Sequence, residues 1–428
     1  MSTGLYNDLV NSKYLVYHQE VDITPEDPEQ AYKVIQPEIV PFISYPYEWS
    51  FSQLKVAALL TLEINKIALE KGTISKDGSA YNIQFINGKP ILIDTLSFEV
   101  YKTGSFWDGY KQFCQHFLAP LTLAAKVDIW IMLLSKCYND GILLDQTSNL
   151  LPESTKIGFS GINVHIHLYA KMQQQYANKQ SVATTGVQLP LEHLVRLIES
   201  LRQTITALTW QPEGTEWGDY YSITNYSNES FDQKRTLLGI FVDIVNPSKV
   251  LDLCANNGVF SKEISKKDIF TVSSDIEPAA VEKNYLEICK SKEKNLLPLV
   301  TNLTNPSPAI GWANQERESL VNRGPFDLVC ALALIHHLAI SNKLPFPPVA
   351  EYSSSLGKWV IVEFVPKSDS QVNKLLSTRK NIFAPYNDNE FQKSFTEYFD
   401  LVRREKYQTV TIHFIYLGDL KVETVFRL

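Results

Sequence analysis

Two histidines, His336 and His337, follow directly on the apolar run FDLVCALALI, and Glu363 sits near the end of a second apolar run, KWVIVEF. An imidazole changes charge close to neutral pH, and a carboxylate can orient it or take a proton itself. Residues of these types at the mouths of two strands could therefore remove a proton from a poorly ionised hydroxyl. The plainer alternative is that one histidine caps the turn while the other packs against a sheet. A second pattern joins Asp252, in the run KVLDL, to Asp275, twenty-three residues later at the end of FTVSSD. Between them the turn Cys254-Ala255-Asn256-Asn257-Gly258 leads into a helical pattern that starts near Val259. Glycine takes positive φ freely and Asn tolerates it better than most residues, so backbone N–H groups in such a turn can approach a ligand. A carboxylate ending the second strand can accept both hydroxyls of a ribose. Asp275 is equally placed to cap the helix expected near Pro278.

A third pattern lies far upstream. Asp77 and Asn82 are five residues apart, a hairpin follows, and Asp94 comes after an apolar strand. This spacing resembles the catalytic loop and metal-binding Asp of protein-kinase-like folds. No Gly-rich nucleotide loop precedes it, and the turn pairs Asp77-Gly78 and Asn87-Gly88 account for part of the pattern by themselves. His165 and His167 alternate as strand or interfacial residues would, without a third ligand nearby. No metal site is expected.

The elements that must hold these residues follow from periodicity. Apolar positions recur at helical spacing from Phe51 to Lys71, and Gly72 is a natural stop. IQFINGKPILID reads as a hairpin around an Asn-Gly turn. Residues 105–210 read as mostly helical, broken near 140–162 and again at 177–188. After Asn246 the pattern alternates, with strands expected at 248–254, 269–275, 296–301, 326–332 and 358–364. Helices are expected to start near Val259, Pro278, Trp312, Phe346 and Ser368. Alternation of this kind implies a mostly parallel sheet with helices on both faces. The last β-rich runs, in LVRREKYQTVTIHFIYLG, leave no room for a crossover helix and should pair antiparallel at the sheet edge. Three segments result: an N-terminal α+β, largely helical domain over 1–180, a linker and helical lead-in over 181–245, and an α/β domain over 246–428.

A doubly wound, mostly parallel, seven-stranded sheet ending in such a hairpin resembles class I methyltransferases that use S-adenosylmethionine. LDLCANNG resembles that family's first motif, departing from it where Cys254 and Asn256 replace the usual glycines. The phrases WGDYYSITNYSNESFDQK, LLSTRKNIFAPY, YPYEWSFSQLKVAALLTLEINKIAL and LIDTLSFE resemble the host-specific nodulation proteins of the NoeA type, over nearly the whole chain. The resemblance implies S-adenosylmethionine as cofactor. Asp252, Cys254, Ala255, Asn256, Asn257 and Gly258 would form its turn, and Asp275 and Ile276 would bind its ribose. Asn302 and Leu303, past the third strand, would sit near its adenine, with Ala331 at the fourth strand end. Tyr220, Tyr221, Tyr226 and Lys234, before the first strand, would close over it, with Tyr226 and Lys234 as direct ligands. His336, His337 and Glu363 are then the candidate catalytic residues.

Apolar residues make up 44% of the 428 and charged residues 20%, an ordinary globular balance. The net charge of −7 argues against a large basic nucleic-acid footprint. No apolar run is long enough to span a bilayer, and the N-terminus lacks a signal peptide's apolar core. The five cysteines are scattered without a C-x-x-C pair, which fits reduced thiols in a cytoplasmic protein. The expected partner is a small-molecule acceptor, a saccharide or metabolite hydroxyl, with no nucleic acid and no membrane. Two other readings stay open: a non-catalytic cofactor-binding scaffold, and a bifunctional protein whose N-terminal domain is kinase-like.

Overall fold

The computed structural model describes residues 3–176, 189–213, 228–377, 385–407 and 410–416, so Tyr220, Tyr221 and Tyr226 lie outside the described residues. The chain forms two compact units, Met1–Gln211 and Pro212–Leu428. The segment 181–245 is accordingly divided between them, in place of a single lead-in.

In the first unit, α1 (Leu5–Asn11) precedes an antiparallel pair, β1 (His18–Val21) and β2 (Val34–Pro37). The long α2 (Phe51–Glu70) starts where the sequence says it should, because Ser50 and Gln53 form a reciprocal cap. It stops before Gly72, whose φ is 69°. Strand β3 (Thr73–Ser75) pairs with β6 (Phe98–Val100), and between them β4 (Ile83–Ile86) and β5 (Lys89–Leu92) make the expected hairpin. Asn87 and Gly88 both have positive φ, 53° and 71°, which matches the twist of the two strands. A continuous helical run over 110–126 is α3, followed by α4 (Leu144–Leu150), α5 (Tyr169–Tyr176) and α6 (Leu191–Ala207). Leu194, Ile198, Leu201 and Ile205 form one buried stripe on α6. Lys55 of α2 donates to the carbonyls of Thr206, in the last turn of α6, and Leu208, just beyond it. That packing is why α6 belongs to the first unit.

The strand-like alternation at His165 and His167 is corrected. Residues Asn163–Leu168 wind as a wide π-type helical turn, and both imidazoles are spent on local bonds. His165 bridges Tyr110 Oη at 2.8 Å and Ser200 Oγ at 2.9 Å, while His167 bridges Ser148 and Thr155. Burial pushes the His165 pKa down to about 4, so a neutral ring bridges the two hydroxyls.

The second unit opens with α7 (Asn228–Val245) and alternates β7 (Lys249–Leu253), α8 (Val259–Ser265), β8 (Phe270–Asp275), α9 (Pro278–Ser291), β9 (Leu296–Val300), β10 (Phe326–Ala331), α10 (Phe346–Leu356) and β11 (Gly357–Phe364). Then come α11 (Ser370–Ser377), α12 (Asp388–Thr396), β12 (Asp400–Tyr407) and β13 (Val410–Tyr416). The sheet runs β12-β13-β11-β10-β7-β8-β9, with the five strands from β7 to β11 parallel and β13 antiparallel to both neighbours. The strand order reverses beside β7, which puts a crevice at the carboxyl ends of β7 and β10. The helix expected near Trp312 is only a three-residue turn, Trp312–Asn314. Pro306, Pro308 and Gly311 interrupt that connection, and Ala313 takes a φ of 53°.

Candidate active site

A cavity of about 370 Å³ opens at those strand ends. Its lining begins with Asp252, Cys254, Ala255 and Asn256 from the first turn, then Asp275 and Ile276 from the second. Thr301, Asn302, Leu303 and Thr304 follow β9, and Leu332, Ala333, Leu334, His337, Leu338, Ser341 and Asn342 follow β10. Phe231 and Lys234 enter from α7, Phe260 from α8 and Leu375 from α11.

The first turn is held by its neighbour strand. Cys254 and Asn256 have φ of 59° and 52°, in the left-handed region that non-glycine residues avoid. Asp275 compensates: its Oδ2 accepts the Asn256 N–H at 2.7 Å and its Oδ1 accepts the Glu277 N–H at 2.9 Å. Asp275 forms no ion pair among the described residues, and burial pushes its pKa up to about 6 against the pull of those backbone bonds. Asp252 is also buried, and its Oδ2 accepts the Ser261 hydroxyl at 2.6 Å. Burial lifts its pKa to about 7, further than Ser261 and Lys234 lower it. Two carboxylates with no ion pair among the described residues thus face one cavity.

Asn257 and Gly258 do not line it. A Cβ on Gly258 would fall 2.3 Å from Asn284 Nδ2, and its φ is +74°. The glycine therefore serves the close seat of the α8 N-terminus on α9, where a ligand had been expected. Asn302 lines the cavity with its Oδ1 accepting from the N–H and hydroxyl of Thr304, at 2.9 and 2.8 Å. Ala331 ends β10 without reaching the cavity wall.

The three candidate proton acceptors separate. His337 lines the cavity and starts a π-type turn, His337–Ser341, closed by the Asn342 N–H on the His337 carbonyl at 3.1 Å. Its pKa is lowered by burial, so its ring is neutral at neutral pH. His336 is buried beneath, its ring 4.2 Å from that of His337, with Nδ1 unpartnered among the described residues. Burial, then His337 and Lys234, hold its pKa well below the usual range. Glu363 does not line the cavity, being 0% exposed, and its Oε2 accepts from Lys234 Nζ at 2.7 Å and from the Ala333 N–H at 2.6 Å. A carboxylate held this way is corrected from proton acceptor to structural anchor. Ala333 has a φ of 52°, a conformation that costs an ordinary residue about 1–2 kcal/mol. A hydrogen bond to a charged group contributes about 1.5–3 kcal/mol, enough to hold it there.

Phe231 and Phe260 had no motif to announce them. Their rings lie 5.1 Å apart and Lys234 Nζ sits 4.8 Å over the Phe260 ring. The signal available was the spacing of Phe231 three residues before Lys234, one face of a helix.

In the first unit, the Asp77, Asn82 and Asp94 side chains do converge, on Ser97. The Ser97 hydroxyl lies 2.6 Å from Asp94 Oδ2 and 3.4 Å from Asp77 Oδ2, and Asn82 Nδ2 is 3.4 Å from both Asp94 Oδ2 and Ser97 Oγ.

The nodulation protein NoeA of Rhizobium meliloti (strain 1021) is 32% identical to this chain over 371 residues, 85% of this chain and 77% of that protein. The chain belongs to the NoeA family. No protein-family model matches it. Among solved structures similar to this NoeA-family chain is magnesium protoporphyrin IX methyltransferase (ChlM) from Synechocystis PCC 6803 with bound SAH. It aligns with a TM-score of 0.35 and 15% identity over 47% of this chain and 93% of its own. The N-methyltransferase NodS from Bradyrhizobium japonicum WM9 aligns with a TM-score of 0.33 and 11% identity, over 45% and 99%. The bifunctional kinase-methyltransferase WbdD aligns with a TM-score of 0.32 and 15% identity over 44% of this chain, which spans only 39% of WbdD.

Proposed function

We propose that this NoeA-family chain is an S-adenosylmethionine-dependent methyltransferase acting on a small-molecule acceptor, with a saccharide or metabolite hydroxyl favoured. The observation that carries the reading is the cavity at the strand-order reversal, where Asp252 and Asp275 are buried with no ion pair among the described residues. The residues present fit the cofactor's chemistry. Asp275 offers acceptors to ribose hydroxyls, and Asn302 and Leu303 flank the position for a base. Lys234 belongs to this wall through its pair with Glu363. The cofactor supplies a methyl group on a sulfonium, already an activated leaving group. What the chain must add is alignment and exclusion of water, for which the apolar Leu332, Leu334, Leu338 and Leu375 are suited.

For a hydroxyl acceptor, His337 is the proton acceptor: it lines the cavity and burial keeps its Nδ1/Nε2 pair neutral and able to accept. Calorimetric titration of the full chain with S-adenosylmethionine tests the cofactor, and mass spectrometry of copurifying ligands tests it independently. With an acceptor in hand, His337→Ala should lower single-turnover methylation by about 10²–10⁴ with cofactor affinity little changed. A rate within about threefold of wild type would mean that alignment alone carries the transfer. Cofactor binding without turnover against any acceptor would favour a scaffold.

A second reading concerns the first unit, because Asp77, Asn82 and Asp94 meet around Ser97. A phosphotransferase activity there predicts magnesium-dependent nucleotide binding that Asp94→Ala abolishes. Among the described residues no helix is long and apolar enough to cross a membrane. All five cysteines are free, in keeping with a reducing cytoplasm.

A further inference from the structure

Ala333 is one of the few non-glycine residues in the left-handed region, and it forms part of the cavity wall. Its N–H ends on a carboxylate that is itself sealed from solvent and neutralised by a lysine from another element. Three parts of the unit therefore meet at one oxygen: α7 through Lys234, β11 through Glu363, and the loop after β10 through Ala333. Backbone strain of this kind persists only where its surroundings enforce it, and it gathers at functional walls. A buried ion pair is a weak source of stability, since apolar residues of similar volume often do as well. The pair's use must then be sought in what else it touches.

We infer that Lys234 and Glu363 are positioning residues, which set the cavity wall by clamping Ala333 in its left-handed conformation. The loop Leu332–His336 carries the clamp's effect onward to His337, whose ring follows at the start of the π-type turn. Glu363 touches no ligand in this scheme. It acts through one backbone N–H. Lys234 supplies the opposite charge beside Glu363, and that pairing fixes the carboxylate oxygen that accepts the Ala333 N–H. The functional readout rests on the cofactor reading above, although the clamp itself stands on geometry alone.

The decisive comparison uses glycine, which occupies positive φ without penalty and needs no clamp. Lys234→Met/Glu363→Leu replaces the pair by apolar side chains of similar size and leaves the Ala333 N–H without its acceptor. The full chain carrying both changes should bind S-adenosylhomocysteine about 10- to 100-fold more weakly by calorimetry. Its thermal midpoint should stay close to wild type. Adding Ala333→Gly should restore at least a third of the lost affinity on a logarithmic scale. Should the double variant fail to fold, Lys234→Gln/Glu363→Gln keeps an acceptor for Ala333 and removes both charges together. That variant should lose about 3- to 10-fold, again recovered by Ala333→Gly. Affinity unchanged in the folded variants would overturn the clamp, as would a loss that Ala333→Gly fails to recover. Wild-type protein that binds no S-adenosylhomocysteine would overturn the cofactor reading beneath it, a result distinguishable from either.

Discussion

At the end of β7, Asn256 donates its N–H to Asp275 of the next strand; at the end of β10, Ala333 donates its N–H to Glu363 of the next strand. Both donors sit at positive φ, and both acceptors are buried carboxylates. The difference lies in charge. Glu363 is matched by Lys234, whereas Asp275 has no ion pair among the described residues and faces the cavity. One carboxylate is closed within the protein, and the other is left wanting hydrogen-bond donors from outside. The same backbone device thus produces a buried anchor in one turn and a cavity-facing carboxylate in the other.

The sharpest way to break this comparison is to remove Asp275. Asp275→Ala should weaken S-adenosylmethionine binding by about 1.5–3 kcal/mol, since it deletes a charged acceptor. Unchanged affinity in a folded variant would sink the ribose assignment, and with it the contrast to Glu363. A smaller effect belongs to Gly258, which the geometry removes from the ligand and assigns to packing. Gly258→Ala should lower unfolding stability by about 1–2 kcal/mol for the φ strain alone, measured by denaturant titration. Asn284→Ala in the same chain should relieve the added steric part, because Asn284 is what the new Cβ would strike. Were the loss confined to cofactor affinity with stability intact, Gly258 would belong beside the ligand after all.

The smallest effect is a proton count. Asp275 and Asp252 titrate near 6 and 7 in the folded protein, raised by burial from an ordinary aspartate value near ~3.9. The folded state therefore holds protons that the unfolded chain has already lost. The stability these groups contribute is complete below the unfolded value and is lost as pH rises through 6 and 7. A cationic ligand favours the ionised forms, so affinity for S-adenosylmethionine should rise with pH across that window. The change should stay within about one tenfold step per carboxylate, roughly 1.4 kcal/mol. Calorimetry in buffers of different ionisation enthalpy should show proton release on binding near pH 6–7, reduced in Asp252→Asn. Because the two carboxylates interact, the steps belong to the pair.

Much of the second unit could be read from periodicity, because apolar runs separated by turn residues leave little freedom in a parallel sheet. All five parallel strands fall within a residue or so of where they were expected. Asp252, Asp275, Asn302 and His337 reached the cavity because strand ends are the positions a sequence marks best. Glu363 was misjudged for the same reason: its place at a strand end is visible, but the Lys234 that closes it off lies 129 residues away. The Trp312 connection was overread, since aromatic and polar residues there mimic a helical pattern that the left-handed backbone of Ala313 and Asn314 breaks. His165 and His167 show the opposite failure: an alternating pair looks like a strand, yet Tyr110 and Ser200 were needed to reveal a π-type turn. The wall from Leu338 to Asn342 was invisible in advance, because a widened helical turn has no sequence signature of its own.

The cysteine in the first turn has a chemical consequence. Cys254 lines the cavity, where a small electrophile or oxidant could reach it. Burial and the adjacent carboxylates of Asp275 and Asp252 hold its thiol well above the usual range, so it stays protonated. Only the thiolate is a good nucleophile, and the oxidation ladder starts from it. The turn can thus carry sulfur at the cavity wall, and alkylating reagents should consume Cys254 more slowly than its accessibility suggests. Burial first, and then the neighbouring carboxylates, thus shield a cavity-lining sulfur from electrophiles.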